Sequence, residues 1–78
     1  MIIMQLTDAL IHLDKNTNEL EKENLINQLR SVEGVIAPGF NNEKEHLLLV
    51  SYNSDILDSL TLLNIVKSKG YTAQLIGL

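Results

Sequence analysis

Gly34 and Gly70 split this chain into two halves of the same kind. Each glycine closes a run of helically spaced apolar residues, and each is followed by a strand-like segment. Before Gly34 stand Leu25, Leu29 and Val32, with Ile26 beside them; before Gly70 stand Leu62, Leu63, Ile65 and Val66. A glycine just past the last turn takes the left-handed conformation that stops a helix at no steric cost. The helix starts are marked as well. Asn18 with Glu21 three residues on offers a side-chain acceptor to an orphan N–H and an acid to the positive dipole end. Asp58 or Ser59 does the same for the second half. The spacing predicts helices over 18–32 and 59–69.

Strands fill the remainder. Residues 6–13 alternate, with Ala9, Ile11 and Leu13 on one face and Leu10 and His12 on the other. A polar turn follows, from Asp14 to Asn18. Val35 to Phe40 reads as a short strand that contains Pro38, which removes a ladder donor and so demands an edge or a bulge. Asn41 to Glu45 is a polar hairpin loop, His46 to Tyr52 the clearest strand, Asn53 to Asp58 a connection, and Tyr71 to Gly77 the last strand. The order β-α-β-β-α-β predicts an α+β fold, the ferredoxin-like βαββαβ sandwich. Two helices would lie on one face of a four-stranded antiparallel sheet, with the second strand at an edge. Seventy-eight residues suffice for one domain, expected over 1–78, with a thin core.

Composition removes several function classes. Ten acids against six Lys and Arg give a net charge of −4. The bases are scattered among the acids, and Phe40, Tyr52 and Tyr71 are the only aromatic rings besides the histidines. Nucleic-acid binding is therefore not expected, since it needs a basic face and stacking platforms. The apolar start Met1-Ile2-Ile3-Met4 has no basic flank and is soon interrupted, so neither a signal peptide nor a membrane span is expected, and cytoplasmic residence is the default. There is no nucleophile–base pair, phosphate-binding glycine loop or pair of acids beside a histidine. No catalytic residue, cofactor or enzyme activity is expected.

Two stretches carry a family resemblance. The first is Leu25-x-x-x-Leu29-x-x-Val32-x-Gly34-Val35. The second joins Tyr52-Asn53, Leu62-Leu63, Val66 and Gly70-Tyr71. They anchor a resemblance, spanning residues 9–76, to the heavy-metal-associated domain family, the copper-chaperone-like module, and that resemblance implies the same ferredoxin-like fold. That family binds soft metals through a Cys-x-x-Cys loop. Counting back from Gly34-Val35, the family's "G-M-T-C-x-x-C" falls on Lys15, Asn16, Thr17, Asn18, Glu19, Leu20 and Glu21. Only the threonine matches, and the chain has no cysteine. Asn18 and Glu21 occupy the thiolate positions. Cu(I) selects sulfur, and these are hard oxygen ligands. No metal ligand is carried over: Asn18 and Glu21 are positions of a degenerate loop, read here as a helix cap.

The remaining oxygen, nitrogen and thioether ligands do not assemble into an evident metal site. Asn18 and Glu21, with Glu19 and Asp14 nearby, are too few and wrongly spaced for calcium. His12 and His46 lie on neighbouring strands. Alternation puts His46 with Leu48 and Val50, facing inward or fraying, and His12 outward, so a shared site is not expected. Met1 and Met4 offer thioethers, though a chain start and an apolar strand account for them. A metal-binding or transport protein using ligands such as His12, His46, Glu21 or the methionines stands as the alternative.

The same alternation singles out a surface. With Ala9, Ile11, Leu13, Leu48, Val50, Ala73 and Leu75 facing the helices, the other sheet face carries Leu10, His12, Leu47, Leu49, Gln74 and Ile76. A solvated sheet face is mostly polar, and here four of these six are large and aliphatic. Such a patch marks an interaction surface. Leu10, His12, Leu47, Leu49 and Ile76 are the expected interface, toward a protein partner or, most simply, a second copy in a homodimer. The reading is a non-enzymatic interaction or regulatory domain.

Overall fold

The computed structural model describes residues 5–14, 18–44 and 46–77. Met1, Met4, Lys15, Asn16, Thr17 and Glu45 lie outside them. The elements run β1 (Leu6–Leu13), α1 (Glu19–Arg30), β2 (Val35–Phe40), β3 (Leu47–Asn53), α2 (Ser59–Ser68) and β4 (Ala73–Gly77). The sheet is four-stranded and antiparallel, in the order β2-β3-β1-β4. This is the expected ferredoxin-like sandwich. β2 lies at an edge, where Pro38 loses nothing by lacking an N–H, and its pairing shifts register between Val35 and Ala37.

The strands hold their side chains by parity. Ala9, Ile11, Leu13, Leu48, Val50 and Ala73 are buried, and they form one core with Leu25 and Leu29 of α1 and Leu62, Leu63 and Val66 of α2. Leu75 is half-buried and packs against that core. Both helices therefore cover the same sheet face. Burying each such aliphatic contributes roughly 1.5–3 kcal/mol, which is what holds the helices down.

Helix ends differ slightly from expectation. α1 stops at Arg30 rather than 32, because Ser31 turns back on Gln28: its N–H and its hydroxyl both donate to the Gln28 carbonyl, at 3.2 and 2.6 Å. Gly34 then sits in the following turn at φ 98°. A Cβ there would stand 2.9 Å from Ile56 Cγ2 and 3.0 Å from Leu57 Cγ, so both backbone angle and space require glycine. Gly70 also has φ 98°, with open space around it. Asp58 caps α2 by accepting the Thr61 N–H at 2.7 Å.

Candidate functional site

At the start of α1, Asn18 and Glu21 make a reciprocal capping box. Asn18 Oδ1 accepts the Glu21 N–H at 2.8 Å, and Glu21 Oε1 accepts the Asn18 N–H at 3.4 Å. The two side chains that stand at the aligned thiolate positions thus satisfy the helix's own orphan donors. The Tyr71 hydroxyl donates to the Glu21 carbonyl at 3.4 Å, joining the residue after Gly70 to this helix start. Partial burial raises the Tyr71 phenol pKa above its ordinary value, and the Glu21 carboxylate adds to the rise. The aligned positions Lys15, Asn16 and Thr17 lie outside the described residues.

One turn on, Lys22 is buried and its ammonium lies 5.4 Å from the centre of the Phe40 ring. Glu19 Oε1 is 3.8 Å away. In the sequence Lys22 is one of the bases scattered among acids, with no sign of this burial. Its stem instead covers the β2 edge while the charge rests over an aromatic face.

On the open sheet face, β1 and β3 set Leu10 opposite Leu49 and His12 opposite Leu47. Leu10, Leu47 and His12 are half-buried, while Leu49 is 44% and Ile76 50% exposed. Gln74 is exposed and lies opposite His12 on β4. The face is not uniform. At its far end Ser51 donates a 2.6 Å hydrogen bond to Asp8, its cross-strand partner, which makes that end polar. The apolar part holds two adjoining hollows that share Leu47. One, of about 340 Å³, is bounded by Leu10, Gly39, Leu47 and Leu49; the other, of about 540 Å³, by His12, Glu43, Lys44, His46, Leu47 and Ile76.

The second hollow corrects the expectation for His46. Its ring does not lie apart from that of His12: the centroids are 5.9 Å apart, with the planes tilted by 40°. The reason is local. β3 begins at Leu47, so His46 lies in the preceding turn, where strand alternation does not apply. That turn is built by Asn41, whose Oδ1 accepts the Glu43 and Lys44 N–H groups at 2.8 and 2.9 Å. The His46 carbonyl accepts the Leu13 N–H at 2.9 Å, tying the turn to the end of β1. A polar run that continues without a break into His46 was the available signal. His12 Nδ1 lies 3.7 Å from Asp14 Oδ1, whereas His46 Nδ1 is buried with no hydrogen-bond partner among the described residues.

Among the described residues, no group of three or more His, Asp or Glu side chains is placed to hold a metal ion. Among the same residues no helix is long and apolar enough to cross a membrane. No protein-family model and no curated protein matches the chain. A solved structure does: the crystal structure of oxidized MerP from Ralstonia metallidurans CH34. It matches at a TM-score of 0.80 and 14% sequence identity, covering 94% of this chain and all of that one. At that identity the likeness is one of fold.

Proposed function

We propose that the chain is a non-enzymatic protein-interaction domain of the heavy-metal-associated type that lacks the thiolate site and self-associates through its open sheet face. The fold likeness to MerP and the two matched stretches support the family type. The lack of any cysteine, and the use of Asn18 and Glu21 as a cap, support the loss of soft-metal transfer. A regulatory role in the cytoplasm is the setting this reading implies, with the whole of residues 1–78 acting as one domain.

The observation that carries the reading is the apolar part of the open face: Leu10, Leu47, Leu49 and Ile76 around His12. Full burial of such a side chain is worth roughly 1.5–3 kcal/mol, and a half-exposed one retains about half of that to gain. Four of them doubled by a twofold axis give a total of the same order as the roughly 4–15 kcal/mol cost of association. A weak, concentration-dependent homodimer is the expectation. Sedimentation across a concentration series tests it, with Leu49→Lys as the disruptive variant. A wild-type chain that stays monomeric at the highest concentration would leave only a foreign partner for this face.

A further inference from the structure

We infer that His12 and His46 form half of a zinc site that a second copy of the chain completes. The inference rests on the reading of the open face as a self-association surface, and it gives that association a ligand. Zinc takes four ligands in a tetrahedron, and imidazole nitrogens bind it at about 2.0–2.1 Å. Two imidazoles bound to one tetrahedral ion have ring centroids roughly 5 Å apart by that geometry. The His12 and His46 rings stand 5.9 Å apart, and the His12 side chain is 42% exposed. Side-chain rotation of partly exposed rings closes the difference.

Each ring has the surroundings of a ligand. Asp14 Oδ1 lies 3.7 Å from His12 Nδ1, longer than a hydrogen bond but close enough for a side-chain rotation to form the carboxylate–imidazole pair that orients a ring toward a metal. Among the described residues no group satisfies the buried His46 Nδ1, a polar atom that calls for a partner. Among the same residues one copy supplies two nitrogens and no group of three ligands, the Asp14 and Glu43 carboxylates standing by as orienting and rim groups. A twofold axis turns two into four. The rim of the same hollow suits that axis. Glu43 and Lys44 are adjacent and opposite in charge, and an isologous contact sets each against the other's counterpart. Leu47 and Ile76 supply the dry margin that a buried ion pair of copies needs.

The test is zinc titration of the metal-free chain, followed by calorimetric stoichiometry and sedimentation. The expected result is about one zinc per two chains, with a dimer that EDTA returns to the metal-free distribution. His12→Gln or His46→Gln should weaken zinc-dependent dimerisation by more than about 100-fold, beyond what loss of a supporting group costs. Asp14→Asn, a positioning change, should weaken it roughly 10–100-fold. Far-UV circular dichroism checks folding; should a histidine variant unfold, wild-type stoichiometry and EDTA reversal still decide. One zinc per chain on a persistent monomer overturns the inference. So does no uptake at micromolar zinc, or dimerisation undiminished in both folded histidine variants. The open-face reading is scored separately in EDTA. A chain that dimerises there but ignores zinc keeps the face and loses the histidine site. A chain monomeric in EDTA and dimeric with zinc keeps the histidine site and shows the aliphatic patch insufficient alone.

Discussion

Leu48 and Leu49 are neighbours in one strand and meet opposite fates. Leu48 is fully buried beneath the helices, and Leu49 is 44% exposed on the other face. The same holds for Ile11 and Leu10 across the ladder, the former fully buried and the latter half-buried. At these four positions side-chain chemistry does not separate the two faces, since all four are aliphatic. What separates them is cover: α1 and α2 supply Leu25, Leu29, Leu62 and Val66 to one face, and among the described residues no element covers the other. That asymmetry is what the proposed interface rests on.

The widest expected effect tests that asymmetry. Leu48→Ala should cost about 2–5 kcal/mol of unfolding free energy, since it opens a cavity in a thin core. Leu49→Ala should stay within about 0.5 kcal/mol for the monomer. Denaturant melts at low concentration measure both. Equal losses would break the comparison.

The cover itself is the next target. Gly34→Ala forces a side chain into a left-handed position and against Ile56 and Leu57. It should cost about 1–3 kcal/mol and loosen the junction between α1 and β2. Hydrogen exchange should then rise around α1 and β2 before the central strands follow. A neutral Gly34→Ala would mean that the turn can rearrange freely.

Smaller again is the cap on α1. Asn18→Ala removes the acceptor for the Glu21 N–H and should cost about 1 kcal/mol. Asn18→Asp should hold stability near wild type, because the acceptor survives. If the loop instead held a ligand, Asn18→Ala would change binding and leave the melt unmoved.

The smallest effect is the acid dependence of the α2 cap. Hydrogen bonds from the Thr61 backbone, then from its side chain, hold the Asp58 carboxyl below its ordinary value of 3.8. Its contribution is therefore fully present above that unfolded-state value and is lost as pH falls through the lower folded-state value. Melts of wild type and Asp58→Asn should converge in that acid range. A gap that persists below it would assign the difference to something other than the carboxylate.

The helix-covered face was legible in the sequence because parity and helical spacing agree at every core position, from Ala9 to Val66. Two glycines and two caps fixed the element order, and Pro38 placed β2 at the edge. Legibility failed where backbone left the ladder. His46 precedes β3 by one residue, so of the two directions left open, inward or fraying, the structure is nearer the second, and the expected separation from His12 does not hold. The burial of Lys22 was not legible either, since the ring that its charge rests over, Phe40, stands on a different element. The capping role of Asn18 and Glu21 was readable, being a local contact three residues apart. The histidine pair was not, since it joins residues 34 positions apart through a turn.

The most direct test of the open face is sedimentation of wild type and Leu49→Lys in EDTA, at matched concentrations and with matched circular dichroism. The account predicts a wild-type dimer that grows with concentration and a folded Leu49→Lys monomer, because the lysine places a charge in an apolar contact. A wild-type monomer throughout the series, or a Leu49→Lys chain that associates as wild type does, would contradict it.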